Sequence, residues 1–352
     1  MARGGRPATV MSLTMLLSVL TASAYAQYGG GTGDPNDPYL IATSEQMNAI
    51  GADPNDWDKH FRLIADIDLS GFDGQDGRPA FNIIARDVDG VAWAHQGTPF
   101  TGVFDGNDHE IRNLTIDSPY RDFIALIGYT GAEAQIEKVA LVNASIKGND
   151  SVGSLVGENS GTIVSCHCSV DVFGKWSTGG LVGLNSRGTI ISSHSAGTVE
   201  GNELGGLAGA NVDGTILSCH STCHVKGRRS WTDIGGWDYA AGLLGYNSGY
   251  VSKCYTTGPV TGDVAIGGLI GANWGIVVSS YSENAVTANE WVGGLIGLNG
   301  GTAVACYSTG TVTSRGVAGG LVGNNNWAVV NCYSMATVDG TEWGAGGLVG
   351  EN

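Results

Sequence analysis

Charge is scarce in this sequence. Lys and Arg number 17 and Asp and Glu 33 among 352 residues, 14% in all, which excludes an ordinary charged helical bundle and a disordered polyelectrolyte alike. Basic residues form no stripe, and a formal net charge of −16 makes nucleic acid an unsuitable partner. No apolar run approaches the roughly 20 residues needed to cross a bilayer. The 3.6-residue period of helical repeats is missing, and so is the run of alternating leucines of leucine-rich repeats. What the chain has instead is glycine, 58 residues of it, in no triplet period, so it is not collagen.

Arg3 and Arg6 precede the apolar stretch Val10 to Leu20, and Ala24-Tyr25-Ala26 supplies the small residues of a cleavage site. Residues 1–26 therefore read as an export signal, and the mature protein as secreted or displayed at the cell surface. Removing them takes away two arginines and no acid.

Self-similarity dominates the rest. A block close to G-G-L-V-G-x-N places its leucine at Leu155, Leu181, Leu207, Leu243, Leu269, Leu295, Leu321 and Leu348, at steps of 26 residues except for one of 36 and a last one of 27. A second block aligns a small or thiol column, Cys166, Ser193, Cys219, Cys254, Ser280, Cys306 and Cys332. The column after it reads His167, His194, His220, Tyr255, Tyr281, Tyr307 and Tyr333. Six residues after each thiol-column position stands a valine, from Val172 to Val338. A 26-residue unit is too short for a propeller blade of about 40 residues. β-branched residues and glycine turns recurring within each unit point to an all-β parallel β-helix, a solenoid of two or three short strands per coil, with coils roughly 4.8 Å apart.

Stacking puts each residue over its copy in the coil before. Leucine columns then fill a core, and Asn159, Asn185, Asn211, Asn247, Asn273, Asn299 and Asn325 form a ladder in which each amide donates to the next carbonyl. Because Leu155, Gly157 and Asn159 alternate onto one face while Val156 is also aliphatic, a bend is expected near the glycine.

These blocks resemble the GLUG repeat, named for its Gly-Leu-Val/Ile/Ala-Gly core, here Gly180-Leu181-Val182-Gly183 and Gly268-Leu269-Ile270-Gly271, with the downstream partner Cys306-Tyr307-Ser308 or Cys332-Tyr333-Ser334. The likeness covers residues 121–352. It implies a bacterial extracellular or surface protein, in the company of immunoglobulin A metallopeptidases and adhesins, and it implies no catalytic residue.

Residues 27–120 read as an N-terminal cap and the first coils. Tyr39-Leu40-Ile41 suits a short strand and Thr43 to Met47 the start of a helix with Ser44 as its amide acceptor. Phe61 to Ala65 and Phe100 to Ile116 continue as strands. A cap is expected because an open terminal coil would expose unpaired backbone. At the other end Gly346 to Asn352 opens a coil and stops seven residues in, which leads us to expect more sequence, or a further domain, after Asn352.

The 36-residue step carries an insertion holding Arg228, Arg229, Trp231, Asp233, Trp237, Asp238 and Tyr239. Its aromatic faces and charges suit stacking on sugars or anchoring a partner; packing over the coil edge is the plainer alternative. Seven cysteines allow disulfides only between adjacent coils, Cys306 with Cys332 or Cys219 with Cys254. Serine at Ser193 and Ser280 of the same column favours reduced thiols. Metal sites find little support. His109-Glu110 lacks the second histidine of a zincin, its place being taken by Asn113. Cys166, His167 and Cys168, or Cys219, His220, Cys223 and His224, lack a paired C-x-x-C. Asp66, Asp68 and Asp73, or Asp87 and Asp89, fit solvated turns better than a calcium loop. No cofactor and no metal is expected.

Two readings of function follow. One is a non-catalytic scaffold, adhesin-like, whose partner is an extracellular glycan or a surface protein. The other is a polysaccharide-acting lyase or hydrolase, on fold analogy alone. The polar repeat positions carry Ser, Thr, His and Tyr rather than converging carboxylates, which favours the scaffold.

Overall fold

The computed structural model describes residues 27–88, 95–228, 238–340 and 344–352. Every pairing between its named strands is parallel, and the strands stack into four sheets of 11, 9, 16 and 7 strands. The parallel β-solenoid expected from the repeats is thus observed. One coil shows the plan: Val182–Ser186, Thr189–Ile191, His194–Gly201 and Leu204–Gly205, after which Ala208–Val212 lies on Val182–Ser186. The four sides are called here the asparagine face, the isoleucine face, the aromatic face and the glycine corner. A coil of this kind therefore has four sides rather than two or three strands, because the two-residue glycine corner makes a side of its own; in later coils the aromatic face is itself split in two, as at His220–Ser221 and His224–Gly227.

Repeat columns are in register. Asn185 stands opposite Asn159 and Asn211, Ile190 opposite Ile163 and Ile216, and His194 opposite His167 and His220. The asparagines form one directional ladder. Thr130 Oγ1 donates to Asn159 Oδ1, and each asparagine Nδ2 then donates to the next Oδ1 at 2.7–2.9 Å, through Asn325 to Asn352. The 36-residue step does not disturb it, since Asn211 reaches Asn247 at 2.8 Å. The second amide hydrogen goes to a backbone carbonyl of the same turn, such as Gly188 O at 3.0 Å or Gly275 O at 3.4 Å. Buried amides are thereby satisfied without water.

The bend expected near the glycine is present, and its form differs from simple alternation. Leu181 and Val182 are both fully buried. The ladder pairs Val156 with Val182 and Glu158 with Leu184 but leaves out the glycine between. A Cβ on Gly183 would lie 2.3 Å from the backbone carbon of Ser151 in the preceding coil, so only glycine lets the chain step past that loop.

A second close approach divides the cross-section. Ser195, Thr256 and Ser308, each two residues after a thiol-column position, donate across the coil to Gly206 O (2.7 Å), Gly268 O (2.9 Å) and Gly320 O (2.6 Å). On one side lies the long core of Leu, Ile and Cys columns running from Tyr28 to Val322. On the other lies a smaller core of Val199, Leu204, Val225, Val260, Ile266, Val286, Val292 and Val312.

At the N-terminal end Tyr39–Ile41, His60–Leu63 and Val103–Asp105 start the isoleucine face. A single α-helix among the described residues, Ser44–Ile50, buries Met47 and Ile50 in the long core. Its cap is Thr43, not Ser44: Thr43 Oγ1 accepts from Gln46 N while Gln46 Oε1 accepts from Thr43 N. Gln46 at the third helical position completes this reciprocal pair only with the residue before Ser44.

Replacing Asn273 by alanine strands the Asn247 amide and the Asn299 carbonyl inside the core, which should cost about 2–3 kcal/mol. Asn325→Ala, near the last coil and 8% accessible where Asn273 is 0%, should cost less. Urea unfolding midpoints of the two variants measure the difference. Gly268→Ala, whose Cβ would lie 2.0 Å from Ser282 Oγ, should also lower the midpoint.

Candidate functional site

The sequence-predicted insertion is described only at its two ends. Arg229, Trp231, Asp233 and Trp237 lie outside the described residues. Arg228 Nε donates to Glu200 Oε1 at 2.8 Å, and its guanidinium sits 4.9 Å from the centre of the Phe173 ring. With Lys147, Asp171, Glu200 and Lys226 it lines an open groove of about 540 Å³ on the aromatic face. Tyr239 belongs elsewhere. Its ring lies 6.4 Å from Tyr246 of the asparagine face, and burial, with the Glu203 charge, pushes its phenol up to about 12. The insertion thus leaves the stack beside one face and rejoins it beside another.

The aromatic column forms a continuous pile. His167, His194, His220, Tyr255, Tyr281, Tyr307 and Tyr333 stack with centroids 4.6–5.2 Å apart and planes within 9°. Ring faces within the pile cover one another, so solvent meets ring edges and a line of imidazole nitrogens and phenol hydroxyls. Burial lowers the His194 and His220 pKa values, and for His194 the neighbouring imidazoles add to it.

Carboxylates gather on one corner that the sequence reading did not single out. The loops between the aromatic face and the glycine corner carry Asp122, Asp150, Glu203 and Asp263, with Glu290 opening a corner strand, and neighbouring turns hydrogen-bond one another on either side of the insertion. Asn149 Nδ2 donates to Asp122 Oδ1, Glu203 N to Lys175 O and Glu290 N to Asp263 O. Glu158 of the asparagine face joins them. Burial pushes Glu158 up to about 7, and burial with the Asp150 charge does the same to Glu203. Asp150 is raised as well, by burial and then by Asp122. Carboxylic acids held near neutrality can donate as well as accept a proton. Further along, Asp263, Asn289, Glu290, Trp291 and Arg315 line an open groove of about 700 Å³. A signal was available: an acid stands four to six residues before the leucine at Asp150, Glu203, Asp263 and Glu290.

The metal candidates separate. Cys166, Cys168, Cys219 and Cys223 are buried, while His167, His220 and His224 lie half-buried on the alternate positions, so strand alternation aims thiol and imidazole to opposite sides. All seven cysteines are free; Cys306 N donates to Cys332 Sγ at 3.3 Å. Burial pushes the Cys166 thiol up to about 12. His109 Nδ1 pairs with Asp66, Asp68 accepts from Ser70 N and Asn113 Nδ2, and Asp73 pairs with Arg78, so these acids tie turns and neighbouring strands together. Asp89 lies outside the described residues. Among the described residues no helix is long and apolar enough to cross a membrane.

With this geometry in hand, the chain can be set beside known proteins. No family model matches it. Over 134 residues, 38% of its length, it is 34% identical to halomucin of Haloquadratum walsbyi, of which that stretch is only 1%. A solved structure from Bacteroides ovatus, provisionally assigned as an immunoglobulin A1 protease, superposes with a TM-score of 0.51 at 20% identity, over 92% of this chain and 87% of the other. That likeness is one of fold.

The raised carboxyls give stability a pH dependence. Between the ordinary glutamic acid value of 4.5 and about 7, the folded chain keeps protons that the unfolded chain releases, so raising the pH through this window destabilises the fold. Glu158→Gln and Glu203→Gln should match the parent at pH 5 and exceed it by about 1–3 kcal/mol at pH 8. Because His194 and His220 act in the opposite sense, the variant-minus-parent difference in melting temperature is the quantity to follow.

Proposed function

We propose that this chain is a GLUG-type repeat scaffold, exported through residues 1–26, that works at or beyond the cell surface without catalysing a reaction and binds polysaccharide or a surface partner. The observation that carries this reading is the use to which the repeat puts its chemistry. Asn, Ser, Cys and Gly columns are consumed in building the stack, and the aromatic column is stacked on itself, so the repeated residues serve length and rigidity. Solenoids of this kind present extended surfaces and take their specificity from loops. The likeness to halomucin over 134 residues and the Bacteroides ovatus fold neighbour agree with an extracellular setting. Arg228 and Tyr239, at the two ends of the insertion, would help present its binding residues.

A second reading has one observation of its own. Asp263 and Glu290, from adjacent coils, line the same groove as Arg315, which is the kind of convergence a glycan hydrolase or lyase needs. A glycan array run beside a reducing-sugar assay separates the two. The scaffold reading expects retention of one or more glycans and no product. Turnover abolished by Asp263→Asn or Glu290→Gln would replace it with the enzyme.

A further inference from the structure

Trp274 is about half exposed, at 52%, although more than two further coils follow it. Its six-membered ring lies over Gly300, where an added Cβ would fall 2.3 Å from the ring. Gly214, Gly249, Gly275 and Gly301, one per coil, run past it as a floor without side chains. Along one side stand Asp213, Ser248 and Trp274; along the other Thr215, Tyr250, Ile276 and Thr302. Trp327 closes the end. The result is a straight groove of about 570 Å³ parallel to the solenoid axis, at the edge where the asparagine face turns into the isoleucine face. Tyr250, Ile276 and Trp327 are exposed too.

We propose that this groove binds an uncharged, extended β-linked glycan, with Trp274 as the stacking platform for one pyranose. The inference rests on the scaffold reading above and locates its glycan site. An indole with one face free offers a flat apolar surface for the C–H face of an equatorially substituted pyranose, while Ser248, Thr215, Thr302 and Asp213 offer hydrogen bonds to its hydroxyls. Shape selects an extended chain. Trp274 and Trp327 stand two coils apart, roughly 9.6 Å at strand spacing, and the floor is straight, which suits a ribbon-like β-linked polymer better than a coiled α-linked one. Charge selects a neutral one. The lining contains a carboxylate and no basic side chain, and the chain as a whole is acidic at −16, so a polyanionic glycan is repelled. The histidine and tyrosine pile is no competitor for this role, since its ring faces are occupied by one another.

The test is calorimetric titration of the full chain with cellohexaose, with maltohexaose and oligoalginate as the α-linked and anionic comparisons. Cellohexaose should bind best, and Trp274→Ala should weaken it at least tenfold. The exposed position of Trp274 leaves the fold intact, as an unchanged circular dichroism spectrum would verify. Tyr250→Ala, on the opposite wall, should weaken binding independently. If a glycan binds and both variants keep parental affinity, the groove assignment falls and the scaffold reading stands. If none of the three oligosaccharides binds, or oligoalginate binds best, the groove assignment falls as well. Hydrolysis of cellohexaose during the titration would overturn the scaffold reading itself.

Discussion

The structure depends on two backbone segments of one coil coming close enough to share a hydrogen bond. In three coils the second glycine of the G-G-L block accepts from the hydroxyl two residues after the thiol column, as Gly206 does from Ser195, Gly268 from Thr256 and Gly320 from Ser308. That glycine meets the next turn as closely. A Cβ on Gly206 would lie 2.2 Å from Ser221 Oγ, and one on Gly268 2.0 Å from Ser282 Oγ. Glycine is held from two sides, by its own turn and by the turn after it. In these coils two motifs a dozen residues apart are therefore one contact.

From this pinch the remaining regularities follow. It fixes the cross-section, so every coil repeats the last, and identical side chains meet at strand spacing. Asparagine can then satisfy asparagine inside the core, with every amide in the ladder donating in the same direction. Aligned donors polarise one another, which strengthens a chain of such bonds beyond its single members. The same spacing piles the rings of the aromatic column face to face. Repetition that builds the rod so well leaves little chemistry facing solvent, and what remains is in the exceptions: the loop corner with its acids, the insertion, and the edge where Trp274 lies over glycine.

Much of this was readable from residue order alone, because a solenoid converts sequence spacing directly into spatial neighbourhood. The asparagine ladder, the buried valine column and the parallel stacking all follow from copying at a fixed interval. Other features needed coordinates. Four sides per coil could not be counted, since a corner as short as Leu204–Gly205 leaves no period to detect. The helix cap was placed one residue late because Ser44 and Thr43 both suit the role, and only the reach of Gln46 decides between them. The acidic corner escaped notice for a different reason. Its residues drift between four and six positions ahead of the leucine, so no strict column betrays them, yet neighbouring turns there hydrogen-bond one another.

The exceptions are also arranged along the rod. Before the insertion the aromatic pile is histidine, at His167, His194 and His220; after it the pile is tyrosine, from Tyr255 to Tyr333. The outermost column of the same face changes at the same coil. Lys147, Phe173, Glu200 and Lys226 pair in succession, then Thr261, Thr287 and Thr313, and last Asp339. Before the insertion the face carries imidazoles and the charges of Lys147, Glu200 and Lys226; after it phenols and threonines prevail, with acids at Glu283 and Asp339. The core columns cross that boundary unaltered, as Asn211 to Asn247 and Val225 to Val260 do. The two halves therefore share one means of folding while differing in the side chains they offer solvent.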